Sequence, residues 1–255
     1  MSAKSTVSAE LVADSSSANV SFISAVFYFM AYIMHEIKNT AEYSNPTEFL
    51  LAISSIKQVS SDCVEITFCD GPVFFIRFCY LKLVHCERIQ NGEVFSAEES
   101  LDIIQAGLAF NAERKALSYL ARCEQCRFGL ERKLLQKGFE KNPINDALDY
   151  LESKNLLSDY RFAESWVRTH ASLKAHGKAR LLKELLSRGI SKNTATSVLD
   201  EFFESTDELK LCLKAYEKAL KQGKNQEKLI KYLIDSGFSY RMIKSTIKMK
   251  SEEAS

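Results

Sequence analysis

The sequence predicts a mainly α-helical protein: tandem three-helix, helix-turn-helix-like repeats preceded by a small antiparallel β-containing region. Three observations lead there. The chain of 255 residues holds only nine Gly and three Pro, so few positions interrupt a helix. The stretch LLQKGF at residues 134–139 returns as LLSRGI at 185–190 and as LIDSGF at 233–238, steps of 51 and 48 residues. Apolar residues recur with a period close to two only between Phe49 and Tyr80; after Ser96 the patterning is helical throughout.

Residues 1–47 form an extension whose main feature is VSFISAVFYFMAYIM, an uncharged run at 20–34. It is shorter than the roughly 20 residues a membrane span needs. As a signal peptide it is poor, with one Lys ahead of it, Glu10 and Asp14 in the flank and no small-residue cleavage site. Two readings stay open: an apolar helix packed on the rest of the protein, or an extension ahead of a start at Met34. No membrane attachment is expected. Residues 48–112 carry three short strand patterns, FLLAISSIKQV, CVEITFC and VFFIRFCY, the last two joined through Asp70 and Gly71, then a linking helix. Ser96 followed by Glu99 is the capping box that opens that helix.

Three units of about fifty residues follow, at 113–157, 158–204 and 205–250. Each ends its second helix on a glycine: Gly138, Gly189 or Gly237. If that glycine is the left-handed residue past the helix end, the apolar residue after it meets the residue four before it. Those pairs are Phe139 with Leu134, Ile190 with Leu185, and Phe238 with Leu233. Eight residues before each glycine stand Leu130, Leu181 and Leu229; six after stand Ile144, Ala195 and Ile243; ten after stand Leu148, Leu199 and Ile247. Ser191 and Ser239 are placed to cap the third helices, and in the first unit Asn142 before Pro143 takes that role. In the second unit Asp159 is the expected cap of a helix burying Phe162, Trp166, Thr169 and Leu173 on one face, with Arg161, Arg168 and Lys174 outside.

Charge divides the chain. Residues 1–112 hold 6 Lys+Arg against 13 Asp+Glu, and 113–255 hold 28 against 20. Between Tyr160 and Lys192 the imbalance is sharpest: Arg161, Arg168, Lys174, Lys178, Arg180, Lys183, Arg188 and Lys192 face only Glu164 and Glu184. Such a group expects an anionic partner, nucleic acid phosphate or an acidic protein groove.

Seven cysteines without regular spacing do not form a secreted disulfide framework, and a cytoplasmic protein is expected. Cys123 and Cys126 form a CxxC, but no second pair completes a zinc site; ordinary helix packing explains them. The four histidines stand apart and no Gly-rich phosphate loop occurs, so no catalytic role, cofactor, metal or small-molecule substrate is expected.

LLSDYRFAESWV at 156–167 and HGKARLLKELLSRGIS at 176–191, with RKLLQKGF before and KLIKYLIDSGFSYRMI after, resemble the RecX family of regulatory proteins. The likeness covers about 113–248, departing in the first unit at Cys126 and Gly129. It implies a monomeric modulator of the RecA recombinase in DNA recombination, repair and the SOS response. Such proteins bind the RecA filament on single-stranded DNA in its groove, or free RecA, and suppress ATP hydrolysis and strand exchange. Contacts would come from the basic second unit, aided by Lys133 and Lys137 in the first and Lys228, Lys231 and Arg241 in the third. The alternative is a sequence-nonspecific DNA-binding protein acting on single- or double-stranded DNA. Against base reading, SKNTATSVLD after the second glycine offers little beyond Lys192 and Asn193.

Overall fold

The computed structural model describes residues 51–69 and 73–253. The apolar run at 20–34 and the Asp70–Gly71 turn lie outside the described residues. Four strands, β1 (Leu51–Ser60), β2 (Cys63–Phe68), β3 (Val73–Arg77) and β4 (Val94–Phe95), pair antiparallel in the order β3-β2-β1-β4. Nine helices follow among the described residues: α1 (Ala97–Leu120), α2 (Arg127–Leu135), α3 (Lys141–Ser153), α4 (Asp159–Lys174), α5 (Lys178–Leu186), α6 (Lys192–Ser205), α7 (Glu208–Lys221), α8 (Gln226–Asp235) and α9 (Tyr240–Glu253).

The chain forms two compact units, one running to Ala121 and including Leu134–Leu151, the other taking Arg122–Lys133 and the chain from Glu152 onward. Helices of the unit expected at 113–157 therefore fall in both, and α1 runs unbroken through the boundary expected near 112.

In the first unit, alternation in β2 and β3 places Val64, Ile66, Phe74 and Ile76 on the buried face of the sheet. They pack with Phe95, Ile103 and Ile104. Helix α1 opens on the Ser96–Glu99 capping box, with reciprocal bonds of 3.3 and 3.0 Å. It can approach β3 because Gly107 lacks a side chain: a Cβ there would stand 2.8 Å from Phe74. Arg77 Nε and Nη2 donate to Glu113 at 3.0 and 2.6 Å, and Nη1 to Asp62 at 2.7 Å. Tyr80 donates to the same Glu113 at 2.7 Å, so this buried carboxylate is fully satisfied. Buried Asp102 accepts the backbone N–H groups of Lys82, Leu83 and Val84, pinning the segment that leaves β3.

The second unit contains two complete three-helix repeats, α4–α5–α6 and α7–α8–α9, each around its own core. All three repeated glycines have positive φ: +85° at Gly138, +79° at Gly189 and +93° at Gly237. Each shows both Schellman bonds. Phe139, Ile190 and Phe238 N–H reach Leu134, Leu185 and Leu233 carbonyls at 3.2 Å, and the glycine N–H reaches the next carbonyl at 2.9–3.0 Å.

The contacts that join one repeat to the next occur twice in nearly the same form. Asp159, first residue of α4, accepts the N–H of Arg127 at the start of α2 (2.8 Å), and Glu208, first residue of α7, accepts that of Lys178 at the start of α5 (2.8 Å). The Cys126 thiol donates to the carbonyl before Gly189 (3.4 Å), and the Gly177 N–H donates to the carbonyl before Gly237 (2.9 Å). The glycines themselves sit against the preceding repeat. A Cβ on Gly189 would fall 2.6 Å from Phe128 Cβ, and one on Gly237 would fall 2.5 Å from the Arg180 nitrogen.

Several local expectations are corrected. Ser158, not Asp159, caps α4, because the Asp159 carboxylate is drawn to the open N–H of α2. The buried stripe of α4 is Ala163, Val167 and Ala171; Phe162 and Trp166 are half-buried, Thr169 is exposed and Leu173 is 71% exposed. Both stripes satisfy i, i+4 spacing, and small residues permit the close approach of α6. Helix α3 starts at Lys141, so Asn142 and Pro143 lie inside its first turn, where proline's missing N–H has no intrahelical bond to lose. Ser191 and Ser239 do bond the N–H three residues on, at 3.1 and 3.3 Å.

The two kinds of glycine turn separate experimentally. Nothing lies within 4 Å of a Cβ on Gly138, so Gly138→Ala should cost only the left-handed conformation, about 1–2 kcal/mol. Gly189→Ala adds the overlap with Phe128 and should cost roughly 2 kcal/mol more. Urea unfolding checks this, and equal losses would remove the overlap from the account.

Candidate protein-binding surface

Placed in the structure, the basic residues of the sequence separate into two populations. Arg161 is held at three points: Nε to Glu124 (3.0 Å), Nη1 to Asn155 Oδ1 (2.7 Å) and Nη2 to the Leu156 carbonyl (3.1 Å). Arg180 bridges Glu184 (3.0 Å) and the Asp235 carbonyl (2.8 Å), the latter on the next repeat. Arg188 lies 3.6 Å from the Trp166 ring centre and donates to the Glu184 carbonyl. Lys178 pairs with Asp200 at 2.7 Å, Arg168 with Glu164, and Lys133 donates to Gln125 at 2.6 Å. These cations serve the fold of their own chain.

Lys137, Lys174, Lys183, Lys228, Lys231 and Arg241 are the other population. Their side chains are exposed, and no carboxylate pairs with them among the described residues. This charge lies just past α2, at the end of α4, on α5 and α8 and at the start of α9, and less along the body of α4 than the sequence suggested. Lys192, at the start of α6, is exposed as well.

Behind the second repeat's surface runs a ladder of rings, Phe162, Trp166 and His170, with centroid separations of 5.9 and 3.7 Å. Burial pushes His176 down to about 4, and Arg180 acts in the same direction. It is uncharged near neutrality, and its 3.5 Å approach to Glu184 is then not an ion pair. Burial opposes ionisation of Glu184, yet the Arg180 hydrogen bond and charge hold its carboxyl below the ordinary value. The carboxylate's service is to Arg180.

Cys126 is buried and Cys123 exposed, and both are free thiols. Among the described residues no group of three His, Cys, Asp or Glu could hold a metal, and no helix is long and apolar enough to cross a membrane. Sequence reasoning missed Asp159 and Glu208 as links between repeats. Their shared place, an acid at the first residue of the helix that opens a repeat, was the signal.

The fold and this surface define a tandem three-helix repeat protein with a cationic face. Family models agree on the repeats: "RecX, first three-helix domain" matches 112–151 and "RecX, second three-helix domain" matches 158–199. The regulatory protein RecX of Clostridioides difficile is 30% identical over 200 residues, covering 76% of this chain and 93% of the relative. That of Treponema pallidum (strain Nichols) is 34% identical over 145 residues, covering 57% and 88%. A crystal structure of regulatory protein RecX superposes with a TM-score of 0.58 at 20% identity, over 76% of this chain and 99% of the other. The chain belongs to the RecX family of regulatory proteins, a family named for regulation and not for an enzymatic activity.

Structural and free cations should respond differently to truncation. Arg161→Ala, which leaves Glu124 and Asn155 without their partner, should lower stability by about 1 kcal/mol, discounted for partial exposure. Lys183→Ala should stay within ~0.5 kcal/mol. Thermal melts of the two variants test the division; a Lys183 loss as large as that of Arg161 would contradict it.

Proposed function

We propose that this protein binds the RecA recombinase filament on single-stranded DNA and restrains its ATP hydrolysis and strand exchange. The observation that carries the reading is the family likeness, which spans 93% of a regulatory protein RecX at 30% identity. The repeat architecture supports it, because units that stack on their neighbours make an extended surface able to reach more than one subunit of a filament. The exposed cations support it as well: Lys174, Lys183, Lys228, Lys231 and Arg241 offer charge with no carboxylate pairing among the described residues, as an acidic groove requires. Inhibition arises by bridging subunits and holding a conformation that turns over ATP slowly and exchanges DNA poorly. Free RecA is a second target of the same surface. The protein acts as a cytoplasmic monomer, without cofactor, in DNA recombination and repair within the SOS response.

The test is single-stranded-DNA-dependent ATP hydrolysis by the cognate recombinase as this protein is titrated in, with binding to the same bare DNA followed at the same salt. Hydrolysis should fall at concentrations too low to coat the DNA. If it falls only as the DNA saturates, with a steep salt dependence, the protein is a sequence-nonspecific DNA binder competing for the strand.

A further inference from the structure

The three repeats share more than their cores. Counting back from each glycine, the position six before is basic in every copy: Arg132, Lys183 and Lys231. Three before it is a large apolar residue left in solvent: Leu135 at 44% exposure, Leu186 at 42% and Ile234 at 50%. Positions three apart share one helix face, so each second helix displays the same pair, a cation beside an exposed aliphatic side chain.

Folding does not require this recurrence. The leucines that build the repeat, Leu130, Leu181 and Leu229 with Leu134, Leu185 and Leu233, are buried, and the glycine turn uses only the backbone carbonyls of Leu135, Leu186 and Ile234, not their side chains. Other surface-facing positions of the same helices diverge freely: Gln136, Ser187 and Asp235 two before the glycine, Gly129, Arg180 and Lys228 nine before it. No carboxylate pairs with Arg132, Lys183 or Lys231 among the described residues; Arg132 has only the Phe128 ring, 5.8 Å away. A large aliphatic side chain in solvent has no solubility advantage, yet one returns three times, as Leu135, Leu186 and Ile234, beside a cation with no carboxylate partner among the described residues.

We infer that these pairs are three copies of one contact, each taking a carboxylate beside an apolar recess on a protein that presents that feature once per identical subunit. The inference rests on the filament reading and deepens it by naming the contact. Arg132, Lys183 and Lys231 stand on the second helices of successive repeats, and the bonds that join those repeats recur: Arg127 N–H to Asp159 and Lys178 N–H to Glu208, then Cys126 to the carbonyl before Gly189 and Gly177 N–H to the carbonyl before Gly237. Matching a repeated ligand to a repeated target multiplies weak individual contacts. The aliphatic member favours protein over nucleic acid phosphate, which offers it nothing to bury against.

The test measures the dissociation constant of the full chain for the recombinase filament on single-stranded DNA, by interferometry, with bare DNA in parallel. Variants replace one pair at a time: Arg132→Ala with Leu135→Ser, Lys183→Ala with Leu186→Ser, Lys231→Ala with Ile234→Ser. Each should weaken filament binding on the order of tenfold, and any two together more than either alone. Leu220→Ser with Lys221→Ala removes an equally exposed but unrepeated pair and should leave binding unchanged. If an apolar substitution lowers the melting temperature, the triple Arg132→Ala, Lys183→Ala, Lys231→Ala variant carries the test, with the same loss expected. Wild-type binding with pair variants that bind equally well overturns the repeated contact alone. No wild-type binding overturns the filament reading and this contact with it. An equal loss on bare DNA makes the occupant a nucleic acid and also overturns the inference.

Discussion

Everything in the second unit depends on a backbone that turns left-handed at a glycine and is pressed against the repeat before it. The positive φ of Gly189 and Gly237 frees the last carbonyls of α5 and α8 to be closed by Schellman bonds. The missing Cβ then lets each turn lie on Phe128 or Arg180 of the preceding repeat. One atom's absence thus serves both the helix end and the joint. A carboxylate from the first residue of a repeat's opening helix completes that joint by capping the second helix of the repeat before it, Asp159 on α2 and Glu208 on α5. Helix N-terminal N–H groups have no intrahelical partners, so each cap satisfies a donor that burial would otherwise penalise.

The first unit solves a different problem. Its sheet has a two-residue edge strand and a single long helix, and its buried carboxylates are satisfied within the unit: Glu113 by Arg77 and Tyr80, and Asp102 by three backbone donors. The same accounting separates the cations of the second unit. Arginines that stitch helices together are engaged within the chain, whereas Lys183, Lys231 and Arg241 are exposed with no carboxylate pairing among the described residues. Net charge over 160–192 located a basic region; hydrogen bonding decided which of its residues remain available.

What was legible in the sequence was mostly local. The glycine period, the Leu–Phe and Leu–Ile pairs, the Ser96–Glu99 box and the Ser191 and Ser239 caps each depend on residues within one turn of one another. The short strands of β1 to β3 showed in their alternation, but β4, Val94–Phe95, is too short to carry a period. Nonlocal partners were invisible: nothing near Asp159 says that its carboxylate will serve Arg127, thirty-two residues away. The buried face of α4 was misread because two stripes fit the helical spacing and the aromatic one outweighed the alanines that actually face α6. Of the basic surface, the free lysines on α5 and α8 could be named but not told apart from the arginines that hold the repeats together.

Trp166 is the chain's single tryptophan and belongs to the α4–α5–α6 repeat, so its fluorescence reports that repeat alone. The most direct measurement of the joint is urea unfolding followed by that fluorescence in Gly237→Ala, a change made in the next repeat. A coupled joint predicts that the Trp166 midpoint falls, because the added Cβ presses on Arg180. A Trp166 transition that stays at its wild-type midpoint while helical ellipticity is lost at lower urea would show repeats that fold independently, and would contradict the account.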